Sequence, residues 1–204
     1  MIFELCSETQ RPGTLPEALR RCAAAWAARV RHSTPGGIWS SEAGALNRIV
    51  HAWPYADAAE CGRVRHAVAQ EGAWPPLDDL RVHAEAQLFT PLPGPMLQPG
   101  RTGPIYELRS YFVKPGDGVA RYIAGWEDKL AERLALSPLA VAGYADVGPL
   151  SRIVQLWPYA SLAQRAEVRR VAVETGVLPP PGALDVMVSQ ENAILLPAPF
   201  SPMQ

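Results

Sequence analysis

Two periods of apolar residues alternate along the chain, and the alternation runs twice. From Ile105 to Val113 (IYELRSYFV) apolar and polar positions exchange at every residue among aromatic and β-branched side chains, which predicts a strand, and the KPGDG that follows supplies a turn. Val119, Tyr122, Ile123, Trp126, Leu130 and Leu134 then recur at helical spacing, as do Leu15, Leu19, Cys22, Trp26 and Val30 nearer the start. Both sets predict amphipathic helices of about four turns. A short apolar stretch (AGYADVG) leads to a strand, SRIVQLW, and a turn at WPY. Ser161 then stands as N-cap of a helix over LAQRAEVRRVAVE, with Asp57 in the matching place earlier. After a Gly- and Pro-containing loop, LDVMVSQENAILL reads as a last strand. The order is βαββαβ.

That order is written twice. Phe3 and Tyr106 open FEL and YEL, 103 residues apart; Pro12-Gly13 and Pro115-Gly116 follow; Arg48 and Arg152 open RIV-x-x-WPYA, 104 apart; Gly72 and Gly176 open Gly-x-x-Pro-Pro. Four matches in the same order identify a duplicated domain, since the unit is far longer than a solenoid repeat. Each βαββαβ unit is a ferredoxin-like sheet with helices on one face. Its other face needs cover, and a second copy can provide it. The expected fold is therefore α+β, two fused ferredoxin-like repeats forming an intramolecular dimeric α+β barrel. Repeat one spans residues 1–95, a Pro/Gly-rich linker 96–104, and repeat two 105–204. The joint from Thr90 to Pro104 holds five prolines and three glycines, which predicts an extended, semi-rigid segment. Its echo in LLPAPFSPMQ suggests that part of it is the tail of the first unit.

Composition narrows the function classes. The chain has 204 residues, 48% of them apolar, with 19 Lys+Arg against 20 Asp+Glu. This charge balance leaves no basic footprint for nucleic acid. The start of the sequence lacks a basic region followed by an apolar run, and no window approaches the ~18 apolar residues of a membrane helix. The expectation is a cytoplasmic protein without membrane insertion. Cys6, Cys22 and Cys61 are odd in number and lie in apolar contexts, so they are expected as free, mostly inert thiols. The Ala, Arg and Pro bias suggests a GC-rich bacterial genome.

Three motifs carry a family resemblance. YELRSYFVKPG (Tyr106 to Gly116), L-N-x-x-V-H-x-W (Leu46, Asn47, Val50, His51, Trp53) and QENAILLPAPFSP (Gln190 to Pro202) are similar to the NIPSNAP family. The resemblance covers almost the whole chain and implies a dimeric α+β barrel. Some members of the family are linked to mitochondria and vesicle traffic. Other barrels of this kind include cofactor-independent oxygenases, isomerases, cyclases and haem-degrading enzymes, an analogy of fold alone.

The two copies depart from the family pattern in complementary ways. Copy one keeps Asn47 and His51 but has Cys6 where copy two has Arg109, and its last strand, RVHAEAQLF, lacks the QEN of Gln190-Glu191-Asn192. Copy two keeps Glu107, Arg109 and Tyr111 on one strand face but has Ser151 and Gln155 in place of Asn47 and His51. One asymmetric pocket, two pockets with different tasks, and simple drift all fit this pattern. Leu162, Arg165, Ala166, Arg169 and Val173 fall on one expected inward stripe of the second helix; copy one has Cys61 and Arg65 for the two arginines. An inward arginine needs either an anionic ligand or an internal carboxylate such as Glu107 or Glu4.

Two function classes follow. In the first, a cofactor-independent enzyme of bacterial specialised metabolism, His51 moves a proton. Arg109 or Arg169, with Glu107, handles developing charge, and Asn47, Trp53, Tyr55, Arg65, Tyr111, Trp157, Tyr159 and Arg165 shape the substrate pocket. In the second, the barrel is a small-molecule-binding or protein-interaction module without turnover, and His51 and the tryptophans are core residues. No metal-ligand spacing, phosphate loop, dinucleotide fingerprint or hydrolase elbow occurs, so no metal and no cofactor are expected. Haem through His51 is the alternative that fold analogy leaves open. A small-molecule ligand is the expected partner, and the pseudo-dimer can dimerise again.

Overall fold

The computed structural model describes residues 1–100, 102–145 and 147–204. Repeat one runs β1 (Ile2–Gln10), α1 (Leu15–Arg29), β2 (Gly37–Ala43), β3 (Arg48–Tyr55), α2 (Ala58–Gln70) and β4 (Arg81–Pro91). Repeat two runs β5 (Ile105–Val113), α3 (Gly118–Leu136), β6 (Val141–Tyr144), β7 (Arg152–Tyr159), α4 (Leu162–Glu174), the single turn α5 (Ala183–Val186) and β8 (Met187–Pro197). The last strand is thus shorter than the sequence pattern suggested, because Ala183 and Val186 turn inward on α5 and are buried before β8 begins.

The eight strands close into one barrel in the order β1-β3-β2-β8-β5-β7-β6-β4. Within each repeat the order is that of a ferredoxin-like sheet. The two sheets join where β2 pairs with β8, Trp39 opposite Pro197, and where β4 pairs with β6, Thr90 opposite Tyr144. Closure removes the free edges that each half-sheet would otherwise expose. At the second seam the fit is tight: a Cβ at Gly143 would lie 2.5 Å from the Phe3 ring, so only glycine lets β6 approach there.

Strand parity separates two compartments. One face of each strand points into the lumen, where Phe3, Trp39, Phe89, Tyr106, Val154 and Leu195 form an apolar core. The other face points outward under the helices, giving one core beneath α1 and α2 and another beneath α3 and α4. Burying these rings supplies most of the driving force, on the order of 1.5–3 kcal/mol for each large apolar side chain.

The predicted caps are present, with Asp57 Oδ1 accepting from Glu60 N at 2.8 Å and Ser161 Oγ from Gln164 N at 3.0 Å. The joint between the repeats is docked. Leu92 and Leu97 are buried, the Trp126 indole donates to Pro93 O, and Gly100 bridges in parallel to Met203. The tails of the two repeats therefore meet at one end of the barrel, as their sequence echo suggested. Arg101, within this joint, lies outside the described residues. Among the described residues no helix is long and apolar enough to cross a membrane.

Candidate functional site

Two clefts lie between the sheet and its helices, one per repeat, and both rest on a shared foundation. Trp53 on β3 and Trp157 on β7 are buried, and each is covered by an arginine from the end of the preceding long helix: the Arg29 guanidinium sits 3.5 Å from the Trp53 ring centre and Arg133 3.8 Å from Trp157. Each arginine donates to a tyrosine hydroxyl, Tyr55 or Tyr159, at 3.1 Å, and to a serine one turn on, Ser33 or Ser137, at 2.7 Å. The WPY motif recurs because it completes this Arg-Trp-Tyr unit. A guanidinium spread over an indole with its hydrogen bonds satisfied is a stable way to bury a charge.

Tyr159 lines the second cleft as expected, whereas Tyr55 is not in the lining of the first; Arg29 and Arg133 are the members of this unit that the pattern alone does not single out. Their signal was present, since Arg29/Ser33 and Arg133/Ser137 stand at the same spacing and 104 residues apart.

The exchange of His51 for Gln155 preserves the hydrogen bonds. The Trp53 indole donates to His51 Nδ1 at 2.7 Å, which assigns the ring proton to Nε2, and Nε2 faces Glu8 Oε1 at 3.4 Å. In repeat two the Trp157 indole donates to Gln155 Oε1 at 2.9 Å, and Gln155 Nε2 donates to the Tyr122 hydroxyl at 2.9 Å. Either residue accepts from the tryptophan and donates onward. A general-base role for His51, or haem ligation through it, would take one of these two bonds. Asn47, expected on the same face as His51, instead stands in the turn before β3 at φ 56°, with Ser151 at φ 62° in the matching turn. Its carbonyl accepts from Gln10 N at 2.7 Å, so the position serves the left-handed turn, which asparagine tolerates well.

Around this foundation the clefts diverge. In repeat two, Glu107 is fully buried and its Oε1 takes Arg109 Nη1 at 2.8 Å, Arg165 Nη2 at 2.5 Å and Asn192 Nδ2 at 3.0 Å. Burial pushes the Glu107 carboxyl up, but Arg165, Asn192 and Arg109 outweigh it and hold the group below its usual value. The Arg109 side chain also donates to the Tyr111 hydroxyl and to Gln190 Oε1. Strand pairing sets Arg109 opposite Asn192 and Tyr111 opposite Gln190, which is why the QEN sequence and the ELRSY sequence occur together.

Arg169, one turn beyond Arg165, forms no hydrogen bond or ion pair among the described residues, yet it lines the cleft with Arg109, Arg133, Trp157 and Gln190. Burial, and after it the neighbouring Arg109 charge, lowers its pKa. The stripe foreseen on this helix is rotated: Leu162 and Val173 are exposed, and Val168 and Ala172 face inward with Arg165 and Arg169 on the flank. Small residues fit beneath the helix where it approaches the sheet, and the long arginines reach round the edge to the cleft.

Repeat one has Cys6 for Arg109, Cys61 for Arg165, and Ala84 and Ala86 for Gln190 and Asn192. Repeat one has a single cleft of about 370 Å³, whereas in repeat two the space is divided into a cleft of about 200 Å³ and an adjoining recess of about 260 Å³ over Arg165 and Arg169. Glu8 is held by His51, Trp74 and Arg81; burial pushes its carboxyl up, but these partners bring it below its usual value. Arg65 is largely exposed and lies 3.4 Å from Glu4 Oε1, too poorly aligned for a hydrogen bond. Cys6, Cys22 and Cys61 are free and buried, and burial pushes the Cys61 thiol up to about 11, so it is not a nucleophile near neutral pH.

Around the first cleft, Arg29, Arg65 and Arg81 meet Glu4, Glu8 and Glu85; around the second, Arg109, Arg133, Arg165 and Arg169 meet only Glu107 and Glu191. The second cleft carries the positive excess. Among the described residues no cluster of three His, Cys, Asp or Glu is placed to hold a metal ion.

The family model described as NIPSNAP matches residues 3–91 and 106–202, one match per repeat. The chain belongs to the NIPSNAP family. NipSnap homolog 3A of Homo sapiens is 27% identical over 214 residues, covering 100% of this chain and 86% of that protein. NipSnap homolog 3B of Homo sapiens is 29% identical over 186 residues, covering 86% of this chain and 75% of its own. In fold, the chain is similar to a monooxygenase-like protein of Fusobacterium nucleatum, with a TM-score of 0.63 at 9% identity, over 97% of this chain and 92% of that one. That likeness supports the dimeric α+β barrel architecture of this NIPSNAP chain and says nothing of chemistry.

Proposed function

We propose that this NIPSNAP protein binds a small anionic molecule, a carboxylate or a carbonyl compound with enolate character, in the cleft of its second repeat. The observation that carries this reading is Arg169, a partly buried guanidinium without a partner among the described residues, which with Arg109 lines the cleft that Trp157, Tyr111 and Tyr122 also line. An unpaired guanidinium half out of water is costly, and an anion between Arg169 and Arg109 removes that cost. The aromatic lining accepts a flat or apolar body. Repeat one, with its arginines matched by carboxylates, is the structural partner.

The catalytic reading rests on His51, whose two nitrogens are engaged by Trp53 and Glu8, so binding without turnover is the better-supported function. The test is a thermal-shift titration with benzoate, salicylate and indole-3-acetate on wild type, Arg169→Gln and Arg65→Gln, with mass spectrometry of each ligand after incubation. A ligand at a hundredfold excess over its dissociation constant stabilises by roughly 2.7 kcal/mol. The expected result is stabilisation lost in Arg169→Gln, retained in Arg65→Gln, and no product. Equal stabilisation in both variants would remove the anion role from Arg169. A product that disappears in His51→Gln would restore the enzyme.

A further inference from the structure

The lumen of the barrel is only partly filled. Phe3, Trp39, Phe89 and Tyr106 plug one part, and a cavity of about 310 Å³ remains beside the β2–β3 and β6–β7 turns. Leu5, Val50, Leu108 and Leu195 form its apolar wall, and Ser7, Glu85 and Gln87 are polar residues of its lining. At its mouth stand Arg48 and Arg152, the first residues of β3 and β7 and therefore equivalents contributed one by each repeat.

Among the described residues neither arginine forms an ion pair. Arg152 donates from Nε to Ser110 Oγ and from Nη1 to Gln87 Oε1, both at 3.0 Å, while Arg48 Nε is buried and has no hydrogen-bond partner. Burial lowers the Arg152 pKa; the Glu85 and Glu191 charges offset part of this, and the Arg48 charge adds a smaller push in the same direction as burial. Two like charges facing one lumen with neutral hydrogen-bond partners form an arrangement that an anion would stabilise. Both copies have arginine at this strand start.

We infer that the lumen is a second ligand site, distinct from the helix-side cleft, that takes the carboxylate of an alkyl-chain acid. The head group sits between Arg48 and Arg152, and the chain runs inward past Leu108 and Leu195. The pseudo-twofold relation of the two arginines fits a single carboxylate, one oxygen to each guanidinium. The apolar wall and the aromatic plug behind it suit a saturated chain rather than a sugar or nucleotide.

Isothermal titration of the whole protein with decanoate, and separately with decanol, tests this. Wild type should bind decanoate and bind decanol more weakly; Arg48→Gln should weaken decanoate about tenfold or more, the loss expected for a hydrogen bond to a charged group. Because the cleft also accepts carboxylates, the titration is repeated in an Arg169→Gln background, where decanoate should still bind and still depend on Arg48, which separates this site from the cleft. Arg152→Gln is expected to act like Arg48→Gln, but it also breaks bonds to Ser110 and Gln87; Arg48, with its free Nε, gives the cleaner variant. No binding of decanoate, equal affinity in Arg48→Gln, equal affinity for decanol, or a loss confined to Arg169→Gln would each overturn the lumen site. Only the last of these would leave the cleft reading strengthened.

Discussion

Repeat one and repeat two are built on the same Arg-Trp-Tyr unit and differ in what surrounds it. Arg29, Trp53, Tyr55 and Ser33 superpose in role on Arg133, Trp157, Tyr159 and Ser137, with matching hydrogen-bond lengths. Beyond that unit, Cys6, Cys61, Ala84 and Ala86 in one copy answer to Arg109, Arg165, Gln190 and Asn192 in the other. The fold therefore requires the foundation twice and the charged cluster once. In a homodimer both clefts would carry the same residues; fusion lets one keep a positive excess while the other balances its charges internally.

The largest effect should come from the foundation itself. Trp53→Ala and Trp157→Ala each empty a fully buried site and should cost about 3–5 kcal/mol in urea unfolding, equally in the two repeats. A marked inequality would show that the repeats do not share one scaffold. Next, Glu107→Gln leaves Arg109 and Arg165 without their carboxylate and should cost about 3 kcal/mol, whereas Glu4→Gln, whose partner Arg65 is mostly exposed, should cost far less. This difference is the sharpest energetic expression of the asymmetry.

The same carboxylates set the acid limit. Glu107 and Glu8 both titrate lower in the folded protein than in the unfolded chain. Their contribution is complete above the unfolded value, about 4.3, and is lost as the pH falls through the folded values. Urea midpoints measured from pH 7 down to pH 3 should fall in wild type, and less steeply in Glu107→Gln and Glu8→Gln. The smallest effect is expected for His51→Gln, under about 1 kcal/mol, because glutamine can accept from Trp53 and donate to Glu8; His51→Leu should cost about 1–3 kcal/mol by stranding the Trp53 indole. If glutamine is as damaging as leucine, the exchange is not the hydrogen-bond equivalence drawn between His51 and Gln155.

Much of this was legible in the sequence because duplication displays which positions the fold holds fixed. The βαββαβ order, the caps at Asp57 and Ser161, and the face shared by Glu107, Arg109 and Tyr111 follow from period and spacing. What escaped was three-dimensional. Arg29 and Arg133 look like polar residues near helix ends until the strand tryptophans are set beneath them. The rotation of α4 was hidden because Leu162 and Val173 are apolar yet exposed, whereas the small Ala172 lies at the contact. Asn47 read as a strand residue because alternation continues into the turn, and only its positive φ reveals its task. Arg48 and Arg152 were visible as repeated letters, but barrel closure is what turns them toward a shared lumen.

The measurement that tests the asymmetry most directly is a proton-nitrogen correlation spectrum of the tryptophan indoles during titration with salicylate. Trp53 and Trp74 report on the first cleft, Trp126 and Trp157 on the second. The Trp126 and Trp157 signals should shift and saturate while those of Trp53 and Trp74 stay in place, and Arg169→Gln should abolish the shifts. Movement of Trp53 and Trp74 instead, or of all four alike, would contradict the asymmetry.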